Sequence, residues 1–243
     1  MKKCYIVGAG DFYGNPKPDS SDFVIAADGG LLHLIALGIK PNVIIGDFDS
    51  LDFDVFLSVL DTFFSDDGEV RTRVKKYREK LRETKNLFLL EKIFEPCKII
   101  THPVEKDETD MHLAYEIGKS KGYTEFCFYG GVGGREDHTF ANYCLLLKVK
   151  NDKNQAYLIG KNAESFVIKN EKIKIFGKDG EKVSVFAFGG EAHGVSVKGL
   201  KYEANNVTLG MDFPLGVSNS FGKLGVGEIS VTSGALLIMK ETK

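Results

Sequence analysis

A chain of 243 residues, 43% hydrophobic and 27% charged, can bury a real core as one large domain or two modest ones. Its 32 Lys+Arg against 34 Asp+Glu leave a formal net charge of −2, which argues against a broad nucleic-acid footprint or an anionic-membrane binder. The four cysteines stand far apart and read as small buried hydrophobes. No stretch approaches a membrane span, and Gly8, Gly10 and Asp11 interrupt the N-terminal apolar run before it could act as a signal peptide, so a cytoplasmic location is expected.

In chain order, the first 150 residues alternate short apolar runs with helical patterns. The strand candidates are "CYIVGAG" (4–10), "FVIAADGG" (23–30), "NVIIGDFDS" (42–50), "CKIITHP" (97–103) and "FCFYGG" (126–131). Such near-continuous runs fit a parallel sheet with helices on both faces. Between them lie helical patterns at 31–38, across 53–95, at 110–120 and at 138–149. This predicts βαβ units in a doubly wound, mostly parallel sheet. Past Asn151, short period-two runs separated by Gly, Asn and Asp predict an all-β, sandwich-like domain over 151–243, with the junction near 149–155. The basic run "RTRVKKYREKLRETK" (71–85) reads as the solvated face of a helix.

The polar residues of the first half gather beyond strand ends. Asp28 follows "VIAA"; Asp47 and Asp49 follow "VIIG"; Lys106, Asp107 and Asp110 follow "KIITHPVE"; glycines, Arg135 and Asp137 follow "FCFY". The carboxyl edge of an open α/β sheet is where ligands bind. Any one of these aspartates read alone would be a cap or turn residue. Together they are costly: two carboxylates about 4 Å apart repel by roughly 4 kcal/mol at an effective dielectric near 20. A cation is therefore expected, and an all-oxygen ligand set favours Mg²⁺ alongside substrate phosphates. "GGVGGREDH" (130–138) offers close backbone approach, a helix start expected to be capped by Asp137, and the Arg135 fork for phosphate oxygens. His138 stands beside these groups, whereas His33 and His112 read as ordinary helix residues. No P-loop motif occurs, and "GAGDFYG" (8–14) has Tyr13 where a dinucleotide fingerprint needs its third glycine.

"AADGG", "GDFDSLD", "KDETD" and "GGVGGREDH" stand in an order that resembles the thiamine pyrophosphokinases, and "GLKY" (199–202) and "GVSNSF" (216–221) resemble the signatures of that family's C-terminal domain. The resemblance implies the reaction of ATP with thiamine to give AMP and thiamine pyrophosphate, in a homodimer. Its 1–150 domain would bind ATP and Mg²⁺, and its 151–243 domain would help form thiamine sites at the subunit interface. It further implies that Asp47, Asp49 and Asp110 hold the metal. Asp28, Lys106, Asp107, Thr109, Arg135, Asp137, Thr139 and Asn142 would surround the nucleotide. Tyr202 would stack on thiamine, with Ser218 and Asn219 nearby. Asp49 and Asp107 are both candidates to accept the alcohol proton, with Asp110 and Arg135 completing the catalytic set.

Three departures stand out. The stretch 51–96 is longer than the family usually carries, and its apolar Val74, Tyr77, Leu81, Leu87, Leu90 and Phe94 predict an inserted helical hairpin or extended arm. Ser220 stands where relatives often have Glu, and Tyr202 where some have Trp. The competing readings are a pyrophosphokinase for another alcohol such as a pterin, and a non-catalytic thiamine pyrophosphate or nucleotide sensor.

Overall fold

The computed structural model describes residues 2–46, 55–59, 68–84, 86, 88–101 and 108–242. They form two compact units, Met1–Thr139 and Phe140–Lys243, and the division falls within the helix Glu136–Asn151.

In the first unit the five apolar runs become β1 (Lys3–Val7), β2 (Phe23–Ala27), β3 (Val43–Gly46), β4 (Lys98–Thr101) and β5 (Glu125–Tyr129), in the spatial order β5-β1-β2-β3-β4. Every pairing among them is parallel. All five carboxyl ends therefore emerge along one edge, and the order reverses between β1 and β5. That reversal opens a crevice at the end of those two strands.

Both faces of the sheet are covered, which is why the strands are apolar without alternation. Tyr5, Val7, Val24, Ala26 and Ile44 pack with Leu31, Leu34 and Ile35 of the helix Gly30–Ala36. The opposite face carries the helix Asp110–Ser120, where a Cβ built on Gly118 would lie 2.7 Å from Cys4 Sγ and 2.8 Å from the Phe126 ring. Only glycine allows that helix to sit so close.

The inserted segment joins the same core. Helix Gly68–Thr84 buries Val70, Val74 and Leu81 along one face, with Tyr77 half-buried, and helix Phe88–Ile93 buries Leu89, Leu90 and Ile93. The described part of 51–96 is helical, with a helical turn at 55–59 besides these two helices, and it packs against the sheet rather than standing off it as an arm; Leu87 lies outside the described residues. Burial of an amphipathic stripe is what makes such a charged helix stable. None of the helices among the described residues is long and apolar enough to cross a membrane.

The second unit is a β sandwich. One sheet has the order β12-β9-β14-β7-β6, from β6 (Gln155–Ile159), β7 (Ala163–Lys169), β9 (Lys182–Ala187), β12 (Asn219–Ser220) and β14 (Ala235–Glu241). The other has the order β11-β10-β13-β8, from β8 (Lys172–Phe176), β10 (Ala192–Lys198), β11 (Ala204–Leu209) and β13 (Val226–Ser230). Val183, Val185 and Ala187 alternate with more exposed neighbours along β9 and meet Val195, Val197 and Ile229 in one core.

Candidate functional site

Asp28 is the first residue beyond β2, and its backbone takes a left-handed conformation at φ +50°. Few non-glycine residues adopt that state, aspartate among the more tolerant of them. Backbone hydrogen bonds help hold it: Asp28 N–H donates to Ile45 O at 2.7 Å, and its carbonyl accepts from Leu31 N–H at 3.2 Å. β2 is thereby tied to the end of β3 as the helix Gly30–Ala36 begins. Gly46 closes β3 against Asp28, and a Cβ there would come within 3.1 Å of the Asp28 backbone.

Asp110 opens the helix Asp110–Ser120, capped by the Thr109 hydroxyl, which accepts from His112 N–H at 3.3 Å. The helix runs back toward the amino end of β5, so its first turn lies at the carboxyl edge. A Cβ on Gly8, just past β1, would sit 2.8 Å from both Met111 Sδ and Gly130 O. The ends of β1 and β5 and the start of this helix therefore meet at the crevice.

The glycine stretch follows β5 directly. Gly130, Gly133 and Gly134 take φ values of +59°, +79° and +64°, which other residues reach only with strain. Arg135 then precedes the helix Glu136–Asn151. Its guanidinium donates to the Asp137 carboxylate at 2.7 and 3.2 Å. Asp137 was expected to cap this helix; it lies instead in the first turn, holding Arg135 and accepting from His138 N–H at 3.0 Å. The Arg135 hydrogen bond holds the Asp137 carboxyl below the usual carboxylate range, and the same contact raises Arg135. The pair thus stays ionised until the pH falls through that depressed value. Thr139 lies one turn into the helix, its hydroxyl donating to Arg135 O at 3.2 Å, and Asn142 is buried further along.

Asp47, Asp49, Lys106 and Asp107 lie outside the described residues, so the described part of the edge comprises Asp28, Thr109, Asp110, Arg135, Asp137 and Thr139. Among the described residues, no three acidic, histidine or cysteine side chains form a metal-sized group.

Two features of this edge went unread in the sequence. The Gly8–Asp11 segment, weighed only as a failed dinucleotide fingerprint, bonds along the glycine stretch. Its Gly8, Gly10 and Asp11 N–H groups donate to Tyr129, Gly130 and Val132 carbonyls, each at 2.8 Å. His33 reaches the same segment from the helix Gly30–Ala36, its Nε2 lying 3.0 Å from Gly10 O. The repeated small residues in "GAG" were the available signal for the first feature; nothing local signalled the second.

In the second unit, Tyr202 is 61% exposed and Asn219 only 8% exposed. The Asn219 side chain is committed to the backbone of Tyr202: Oδ1 accepts from Tyr202 N–H at 2.9 Å, and Nδ2 donates to Tyr202 O at 2.7 Å. Oδ1 also accepts from Ser220 N–H at 2.9 Å. Lys201 Nζ stands 5.3 Å from the centre of the Tyr202 ring, a first sign that its face suits a cation. Ser218 is exposed at φ +59°, its N–H donating to Ser184 Oγ at 3.0 Å.

The model for the thiamin pyrophosphokinase catalytic domain matches residues 17–158, and that for the thiamin pyrophosphokinase vitamin B1 binding domain matches residues 167–236. The thiamine pyrophosphokinase of Bacillus subtilis (strain 168) is 25% identical over 239 residues, or 94% of this chain and 96% of that one. The crystal structure of a Bacillus subtilis thiamine pyrophosphokinase superposes with a TM-score of 0.76 at 23% identity, covering 99% of each chain. Yeast thiamin pyrophosphokinase superposes at 0.61 and 16% identity, over 99% of this chain and 86% of that one. At these identities the two structures speak for the fold alone.

Proposed function

The chain belongs to the thiamin pyrophosphokinase family, with ATP and thiamine as substrates and thiamine pyrophosphate as product, and on that premise we propose which of its residues act. The observation that supports the assignment is the meeting of the Asp110 helix start with the glycine stretch that leads to Arg135, at the crevice where the strand order reverses, with Asp28 on the same carboxyl edge beyond β2. The 1–150 domain takes ATP there. The left-handed glycines let backbone approach the triphosphate, and Arg135, whose Nε and one Nη donate to Asp137, offers its remaining N–H groups to phosphate oxygens. Asp28, Lys106, Asp107, Thr109, Asp137, Thr139 and Asn142 surround the nucleotide.

Thiamine's primary alcohol must attack the β-phosphorus in line while AMP leaves, so positioning and charge neutralisation carry most of the catalysis. Asp47, Asp49 and Asp110 are an all-oxygen donor set that suits Mg²⁺, which when bound would neutralise the charge of the transferring group. Asp49 or Asp107 accepts the proton of the attacking alcohol. Lys106 and Arg135 offset charge on the transferring and leaving groups.

The 151–243 domain takes thiamine, with the exposed Tyr202 ring against its flat or cationic part and Ser218 beside it. The buried Asn219, bonded through its amide to both backbone groups of Tyr202, supports a positioning role: it holds the segment that presents the Tyr202 ring. Tyr202→Ala is expected to raise KM for thiamine about tenfold with KM for ATP unchanged, from the lost stacking and cation–π attraction. Tyr202→Phe should restore most of it, and equal KM values in Ala and wild type would reject the assignment.

The enzyme acts as a homodimer. The exposed apolar Phe213 and Leu215, 66% and 64% accessible, support a face that a second copy covers. A cytoplasmic setting fits four free cysteines. The decisive test is AMP and thiamine pyrophosphate formation from ATP and thiamine, with and without Mg²⁺. Stoichiometric, magnesium-dependent product is expected. No product from folded protein would shift the reading to another acceptor alcohol or to a sensor.

A further inference from the structure

We propose that His33 is a positioning residue for the nucleotide: it clamps the Gly8–Asp11 segment, which in turn holds the glycine stretch in its anion-receiving form. The inference rests on the reading of residues 130–135 as the phosphate cradle.

The chain of contacts is continuous. His33 Nε2 lies 3.0 Å from Gly10 O, and because a carbonyl only accepts, the ring carries a proton on Nε2 and donates it. The imidazole also stacks on Phe12 at 4.9 Å and 28°, and Phe12 stacks on Tyr129 at 5.7 Å and 25°. Tyr129 is the last residue of β5, immediately before the glycine stretch. The peptide groups of the Gly8–Asp11 segment complete the link, with Gly10 N–H on Gly130 O and Asp11 N–H on Val132 O. Gly10 is thus gripped on both sides, by His33 through its carbonyl and by Gly130 through its amide.

The register tolerates no extra atom. A Cβ on Gly10 would lie 2.6 Å from Val132 O, and one on Gly133 would lie 2.3 Å from Asp11 Oδ2. The consequence is electrostatic. An anion cradle needs its backbone N–H dipoles turned toward the ligand and its carbonyl oxygens turned away. The bonds to Gly10 and Asp11 occupy the Gly130 and Val132 carbonyls and hold them against the neighbouring segment. His33 keeps that segment in place. Without it, these oxygens can swing toward the phosphates and repel them.

The test compares His33→Ala, which loses both bond and stack, with His33→Gln, which keeps a donor. His33→Ala is expected to raise KM for ATP about tenfold, with KM for thiamine and kcat within about twofold, since one hydrogen bond and one aromatic contact are lost. Hydrogen exchange of the Gly10 and Asp11 amides should accelerate by a similar factor while the β1 amides keep their protection. His33→Gln should recover part of both effects. Unchanged exchange at Gly10 and Asp11 in His33→Ala overturns the clamp, as does acceleration spread evenly over β1. Arg135→Ala separates the two readings. If it raises KM for ATP and His33→Ala does not, the clamp fails and the cradle stands. If Arg135→Ala leaves KM for ATP unchanged, the cradle fails, and the exchange data still decide whether His33 orders the segment.

Discussion

Asp110→Asn should lower turnover with ATP, Mg²⁺ and thiamine by about 10²- to 10³-fold, the scale seen when one preorganised charge-stabilising group is lost. Asparagine keeps the shape of the side chain and one oxygen, but removes the negative charge that would balance a divalent ion. Asp110 is the first residue of its helix, which Thr109 caps independently, so the change takes an acid away from a helix N-terminus and leaves the cap in place. The interaction of an acid with a helix N-terminus is worth about 0.3–1 kcal/mol. A melting shift of no more than about 4 °C is expected for a chain of this size. Asp49→Asn should behave alike, because the proposed metal site draws its other carboxylates from "GDFDS". Near-normal AMP release from a variant of normal stability would remove Asp110 from the metal site.

Gly130→Ala should act on the fold and the activity together. At φ +59° the added Cβ would stand 2.1 Å from the Gly8 carbonyl oxygen, a backbone atom that cannot rotate away. Left-handed strain costs about 1–2 kcal/mol and overpacking about 1–3 kcal/mol. A loss of about 3 kcal/mol corresponds to a fall in Tm of about 6–12 °C. Because the displaced partner is the Gly8–Asp11 segment, ATP affinity should fall with it. Gly134→Ala is the internal control: its φ is +64°, yet nothing lies within 4 Å of an added Cβ. It should pay the strain alone. Thermal unfolding of the two variants separates conformation from contact, and equal Tm values would show that the close approach of the two segments contributes nothing.

Much of this architecture was legible because it is written in local pattern. "CYIV", "FVIAA", "VIIG" and "FCFY" are apolar without alternation, and only a sheet covered on both faces accommodates them, so the parallel order followed. The period-two runs after Asn151 were legible for the complementary reason: one face of each strand meets a core and the other meets water. The residues beyond the strand ends could be assigned to one edge because parallel strands share their direction. The caps were harder. Asp137 and Arg135 are two residues apart, and which of them ends the loop depends on where the first helical hydrogen bond closes, with Thr139 N–H on Arg135 O at 3.1 Å.

The insertion marks a similar limit. Its helical period was plain in Val74, Tyr77 and Leu81, but a period says that a face is buried, not what buries it. The structure gives that face the core of the first unit. Asn219 is another case. In "GVSNSF" an asparagine reads as a polar group near a ligand; that its amide also bonds the backbone of Tyr202, seventeen positions earlier, is seen only in the fold.

Side-chain period and strand direction thus sufficed for the fold class and for the edge where the polar residues gather, since each depends on neighbours in the chain or on direction shared by the parallel strands, whereas the reaction came from the resemblance of the motifs to a known family. The grip of His33 on Gly10, the register of Gly8–Asp11 along the glycine stretch and the commitment of Asn219 to Tyr202 required the folded molecule. They join segments far apart in sequence through single hydrogen bonds and methyl-sized clearances. The first two exist only once β1 lies between β2 and β5, and the third only once the second unit has folded; no local propensity encodes either placement.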